Sequence, residues 1–105
     1  MMGLRMTDAL KCRRCIDYFA RLMYDLGKAE KAAEHGYPSE IHSNAKAARG
    51  IYEAMKRAGC VGENPELEGE IEELTFASSK RDVERHTSKI QYMLMQAVSD
   101  VCLRS

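Results

Sequence analysis

Apolar side chains return in alternating steps of three and four residues along most of this chain, the spacing that gathers them on one face of an α-helix. The rhythm stops at Gly36-Tyr37-Pro38 and again between Gly59 and Asn64-Pro65. Glycine ends a helix because it accepts the left-handed backbone of the closing turn. Proline starts one because its missing N–H is not needed there. A chain punctuated in this way can bury its apolar lines only by laying helices against each other.

The first helix is expected near 8–35, with Thr7 as N-cap and Asp8 favoured in the first turn by the helix dipole. Its apolar line reads Cys12, Ile16, Phe19, Met23 and Leu26, with Arg13, Arg14, Asp17, Arg21 and Lys28 opposite. The second, near 40–58, takes Ser39 as cap and carries Ile41, Ala45, Ala48, Tyr52 and Met55. The third, near 65–77, has Asn64 as cap and Leu67, Ile71 and Leu74 as its line. The fourth, near 80–103, opens at Ser79 with Asp82 three residues on, and presents Val83, Thr87, Ile90, Leu94, Ala97 and Val101. One unbroken helix from Pro65 to Leu103 is the alternative, since neither glycine nor proline interrupts the chain after Gly69. No segment alternates polar and apolar residues for long enough to read as a strand. The fold class predicted is therefore all-α: one domain, a small antiparallel bundle of three to four helices.

Sixteen basic residues balance sixteen acidic ones in 105, which argues against a general polyanion binder. No stretch approaches the ~20 apolar residues that span a bilayer. The opening Met1 to Met6 lacks an apolar signal core, and Gly3 with Thr7 fits an N-myristoylation pattern only if translation starts at Met2. The expectation is a cytoplasmic protein without a membrane anchor. In that setting Cys12, Cys15, Cys60 and Cys102 read as reduced thiols or metal ligands before disulfides.

Cys12-Arg13-Arg14-Cys15 has the spacing of half a zinc site or of a redox dithiol. Zinc needs two more ligands, and no second pair has structural-zinc spacing, so a plain packing role for both cysteines is favoured. Glu34, His35, Glu40 and His42 crowd the first turn between helices without a helical ligand pattern. No local motif assembles a nucleophile, base and carboxylate, and Gly59-Cys60-Val61-Gly62 lacks the rest of a phosphate loop. No enzymatic activity and no cofactor are expected.

Three surface readings remain. Lys11, Arg13 and Arg14, together with Lys80, Arg81, Arg85 and Lys89, would make a phosphate-binding patch if their helices brought them together, although Asp82 and Glu84 interrupt the second group. The acidic run contains Glu63, Glu66, Glu68, Glu70, Glu72 and Glu73, and Glu70, Glu72 and Glu73 lie too far into the helix to be explained by its dipole. The last helix also carries a second line, Tyr92, Met95, Ser99 and Cys102. A helix apolar on two faces is central in its bundle or bears an interface. The function expected is a non-enzymatic protein–protein interaction module, an adaptor, regulator or inhibitor, with a homodimer within that reading. Its partner-binding residues are Tyr92, Met95, Cys102, Glu70, Glu72 and Glu73. A thiol or zinc protein using Cys12 and Cys15 is the first alternative, and a nucleic-acid-binding helical protein the second.

Overall fold

The computed structural model describes residues 6–104. The readings that rest on Met1 to Arg5 lie outside that range. Four helices follow one another: α1 (Met6–His35), α2 (Pro38–Arg57), α3 (Pro65–Phe76) and α4 (Lys80–Arg104).

Each boundary has a local cause. Gly36 has φ +73, the Gly36 N–H donates to the Ala33 carbonyl, and the Tyr37 N–H donates to Ala32. These are the two bonds of a Schellman motif, which satisfies carbonyls the helix leaves open. The same motif closes α2, where Gly59 has φ +79 and the N–H groups of Gly59 and Cys60 reach back to Lys56 and Met55. Asn64 caps α3 by accepting from the Leu67 N–H at 3.1 Å, and Ser79 caps α4 by accepting from the Asp82 N–H at 3.1 Å. Between them Ala77 is extended, so Pro65 to Leu103 forms two helices. Ser39 does not cap α2. The helix starts two residues earlier than expected, at Pro38, behind Tyr37, which makes no side-chain cap bond. Thr7 likewise lies inside α1 rather than before it.

Sequential helices run in opposite directions. Tyr52 meets Glu68 and His42 meets Thr75 across α2 and α3, so residue numbers rise on one helix as they fall on the other. Glu30 meets Thr87, and Cys12 is bonded to Cys102, across α1 and α4. Each helix packs on two neighbours in the cycle α1–α2–α3–α4–α1, and among the described residues the diagonal pairs bring no Cα atoms within 8 Å of each other. This is an antiparallel up-down-up-down bundle.

The core is the set of four inward lines. Ile41, Ala45, Ala48, Tyr52 and Met55 of α2 are all buried, as are Leu67, Ile71 and Leu74 of α3. On α4 the buried line is Val83, Thr87, Ile90, Leu94, Val98 and Val101, with His86 beside it. Fully burying a Leu or Ile stabilises by about 1.5–3 kcal/mol, so these lines dominate the fold. On α1 the buried line is Cys15, Leu22, Leu26, Ala29 and Ala33, rotated from the one expected. Cys12, Phe19 and Met23 are partly buried, and Ile16 is 49% exposed. The reason is geometric: α1 lies against both α2 and α4, so its inward direction falls between the two, and Cys15 is bonded inward to Cys60.

The helices have unequal lengths, and this shapes the two ends. With α1 of 30 residues and α2 of 20, α1 overhangs by roughly 15 Å at 1.5 Å per residue. There α4 is its only long neighbour, and the two-helix end has little core of its own. Both disulfides sit at this end. Cys12–Cys102 ties α1 to α4, with Cα atoms 4.9 Å apart, and Cys15–Cys60 ties α1 to the loop after α2, at 5.5 Å. Both separations suit a disulfide.

Candidate functional site

The cysteines correct the sequence reading. Cys12 and Cys15 do not act together. Each is joined to a distant partner, and among the described residues no cysteine is free. A disulfide sulfur has no thiolate to offer, so in this state the Cys12/Cys15 pair cannot hold zinc. Three residues apart, the two sulfurs project toward different neighbours, Cys12 to α4 and Cys15 to the α2–α3 loop. The pairing follows from the bundle's register, which no local spacing reveals.

The basic groups do not merge either. Antiparallel packing sets Lys11, Arg13 and Arg14 beside the C-terminal end of α4, where Cys12 meets Cys102. Lys80 to Lys89 sit at the other end, where Thr87 meets Glu30. Thirteen or more residues of α4 separate Lys89 from Cys102, roughly 20 Å of helix.

The acidic run docks α3 onto both neighbours. Toward α2, Glu68 accepts from the Lys56 ammonium at 3.0 Å and from the Tyr52 hydroxyl at 3.3 Å, and Glu72 accepts from Arg49 at 3.1 Å. Toward α4, Glu70 meets His86 Nδ1 at 2.6 Å and Lys89 at 3.5 Å. Glu70, Glu72 and Glu73 therefore do not form one surface: Glu72 faces α2, and the other two face α4. Burial raises the Tyr52 phenol well above its ordinary value, and the Glu68 carboxylate adds to the effect. Burial works in the same upward direction on Glu70. There the hydrogen bond and charge of His86, with Lys89 behind them, outweigh it and hold the carboxyl below its ordinary value.

In the sequence His86 stands only as one of five candidate partners, with Cys60, Cys102, His35 and His42, for a zinc site on Cys12 and Cys15; the structure places it elsewhere. It is 4% exposed, its ring lies between Glu70 and Glu73, and Nε2 stands 3.7 Å from the Glu73 carboxylate. The signal available beforehand was weak: two glutamates three apart on one helix face, and a histidine next to a core threonine. The Glu34, His35, Glu40 and His42 group forms no such cluster. His35 stacks on Tyr37, and His42 donates through Nδ1 to the Thr75 carbonyl at 2.7 Å, satisfying an open carbonyl at the end of α3.

The second line of α4 points to solvent. Tyr92 is 66% exposed, Met95 47%, and Leu103, which continues the line by helical spacing, 83%. These residues lie on the side of α4 opposite Ile90, Leu94 and Val101. Cys102 is drawn off the line into its bond with Cys12. Beside Tyr92, a shallow groove between α3 and α4 is lined by Glu66, Ser88, Lys89 and Met93.

The class these features define is a small all-α bundle, crosslinked by two disulfides, with an apolar line on the outside of its last helix. No helix of the described residues is long and apolar enough to cross a membrane. Comparison with known families, curated proteins and solved structures finds no match to the chain.

Proposed function

We propose that this protein is a non-enzymatic interaction module, an adaptor, regulator or inhibitor, whose outer α4 face binds a second copy of the chain. The observation that carries the reading is the exposed line Tyr92, Met95 and Leu103, set opposite a complete core-facing line on the same helix. Tyrosine and methionine suit an interface because they bury large area and adapt in shape. Zero formal net charge gives little repulsion between copies.

Charge beside the line supports one geometry. Lys89 and Asp100 are eleven residues apart, close to three full turns, and so share one flank of α4. Two α4 helices laid antiparallel about a two-fold axis near Met95 keep that flank on the same side. Lys89 of each copy then stands by Asp100 of the other, an isologous contact made twice. The cytoplasm is the location this proposal assumes. Nucleic-acid binding ranks below it, because the two basic groups sit at opposite ends of the molecule.

Sedimentation velocity tests the reading. The wild type should be a dimer, and Tyr92→Ser with Met95→Ser should give a folded monomer. Asp100→Lys should weaken the dimer, and adding Lys89→Asp should restore it. A wild-type monomer at high concentration, or a dimer indifferent to these changes, overturns the homodimer.

A further inference from the structure

We infer that Glu73 and His86 form a site for one divalent transition-metal ion of the zinc type, at the exposed edge of the α3–α4 seam. Among the described residues, one oxygen each from Glu70 and Glu73 and one ring nitrogen of His86 lie within 4.8 Å of one another. The three groups have distinct roles.

Glu70 is the orienting residue. Its carboxylate, mostly buried, lies 2.6 Å from His86 Nδ1. A carboxylate only accepts, so Nδ1 carries the proton of that bond. In the neutral ring this leaves the lone pair on Nε2. A carboxylate behind the histidine is the usual support of a metal-binding imidazole, fixing its tautomer and direction. Lys89 contacts the other oxygen of Glu70, at 3.5 Å, so its charge is met by the supporting carboxylate and not by the ligand atoms.

Nε2 is the group that asks for a ligand. The His86 ring is more than nine-tenths buried, its Nδ1 is taken by Glu70, and Nε2 opens at the edge of the seam, since no fully buried side-chain nitrogen or oxygen among the described residues lacks a hydrogen-bond partner. Nε2 faces the Glu73 carboxylate at 3.7 Å, and that glutamate is itself exposed. A carboxylate facing Nε2 favours positive charge there, and a proton on Nε2 or a metal ion meets that need, so the metal binds by displacing the proton. Two atoms bound to one tetrahedral zinc ion at ordinary bond lengths lie roughly 3.4 Å apart. The observed gap is close to that span and needs only a small movement of the exposed Glu73 side chain.

One imidazole nitrogen and one carboxylate suit zinc and its neighbours in the first transition row better than magnesium or calcium, which take oxygen ligands. Water completes the coordination sphere on the exposed side. The site is therefore open and exchangeable, unlike a closed four-ligand structural centre. It is also independent of the cysteines, which are occupied by disulfides.

Calorimetric titration of zinc chloride into the full oxidised chain, with free thiols shown absent, tests the inference. One ion per chain should bind. Glu73→Gln should weaken binding by at least about tenfold, because it removes a ligand at an exposed position without touching the core. Glu72→Gln, one residue away but facing α2, should leave binding unchanged. Glu73→His should tighten it by supplying a second imidazole. His86→Gln is expected to abolish binding, but its buried ring makes Glu73→Gln the deciding variant. No binding by the wild type, or equal binding by Glu73→Gln and Glu72→Gln, overturns the site.

Discussion

Reducing the two disulfides should cost this protein most of its stability, and the structure gives the size of the loss. Cys15–Cys60 closes a sequence separation of 45 residues and Cys12–Cys102 one of 90. Taken singly, the loop-entropy relation assigns them about 4 and about 4.6 kcal/mol at 25 °C. The two are not independent. With Cys15 joined to Cys60, the chain path from Cys12 to Cys102 jumps across the inner loop and runs over about half its former length, so the second bond closes a smaller loop and also contributes about 4 kcal/mol. A bundle of this size has a total stability of roughly 5–15 kcal/mol. Breaking either bond should therefore lower the melting temperature by roughly 15–30 °C, and breaking both should leave the fold marginal. Because the crosslinks clamp the overhanging end of α1, that end should open first. The assay is urea unfolding followed by helical circular dichroism, with and without reductant, and with the part-exposed bond removed alone by Cys12→Ser and Cys102→Ser. The slope against urea should rise on reduction, since a chain without crosslinks unfolds to a more expanded state. Coincident midpoints for oxidised and reduced protein, or a peptide map joining Cys12 to Cys15, would refute the reasoning.

Three further outcomes follow from the same packing. Leu94→Ala, at a fully buried position in the middle of α4, should destabilise by about 2–5 kcal/mol in denaturant titration, while Tyr92→Ser on the opposite face should change monomer stability by no more than about 0.5 kcal/mol. Asn64→Ala removes the acceptor for the Leu67 N–H and should cost about 1 kcal/mol, seen first as faster amide exchange at the start of α3. The Tyr52 phenol is raised above its ordinary value of 10.0 by burial and by Glu68, so the folded protein holds that proton where the unfolded chain releases it. That contribution is complete below about pH 10 and is lost as pH rises further, so thermal scans should show an alkaline decline that Tyr52→Phe reduces.

Local chemistry made much of the bundle legible in the sequence. Gly36, Gly59, Asn64 and Ser79 stop or start their helices through bonds within a few residues, and the inward lines of α2 and α3 were readable because spacing alone sets a helix face. Where the reading slipped, the cause lay further off. The buried face of α1 depends on two neighbouring helices at once, so the line through Cys12 and Ile16 proved rotated. The start of α2 moved to Pro38 because the turn after Gly36 is closed by bonds back into α1 and leaves no role for a Ser39 cap.

The candidate sites divide in the same way. By itself the sequence determined that α4 has two apolar faces, that the charges balance and that acidic residues concentrate on α3, all of which are one-dimensional facts. Only the tertiary structure decided which α4 face meets water, and that Glu68, Glu70 and Glu72 are paired within the chain. It alone placed His86 between Glu70 and Glu73, and joined Cys12 to Cys102 instead of leaving it with Cys15. Each of these depends on the antiparallel register of helices distant in sequence. That register is set by the summed fit of four buried lines, and no residue encodes it alone.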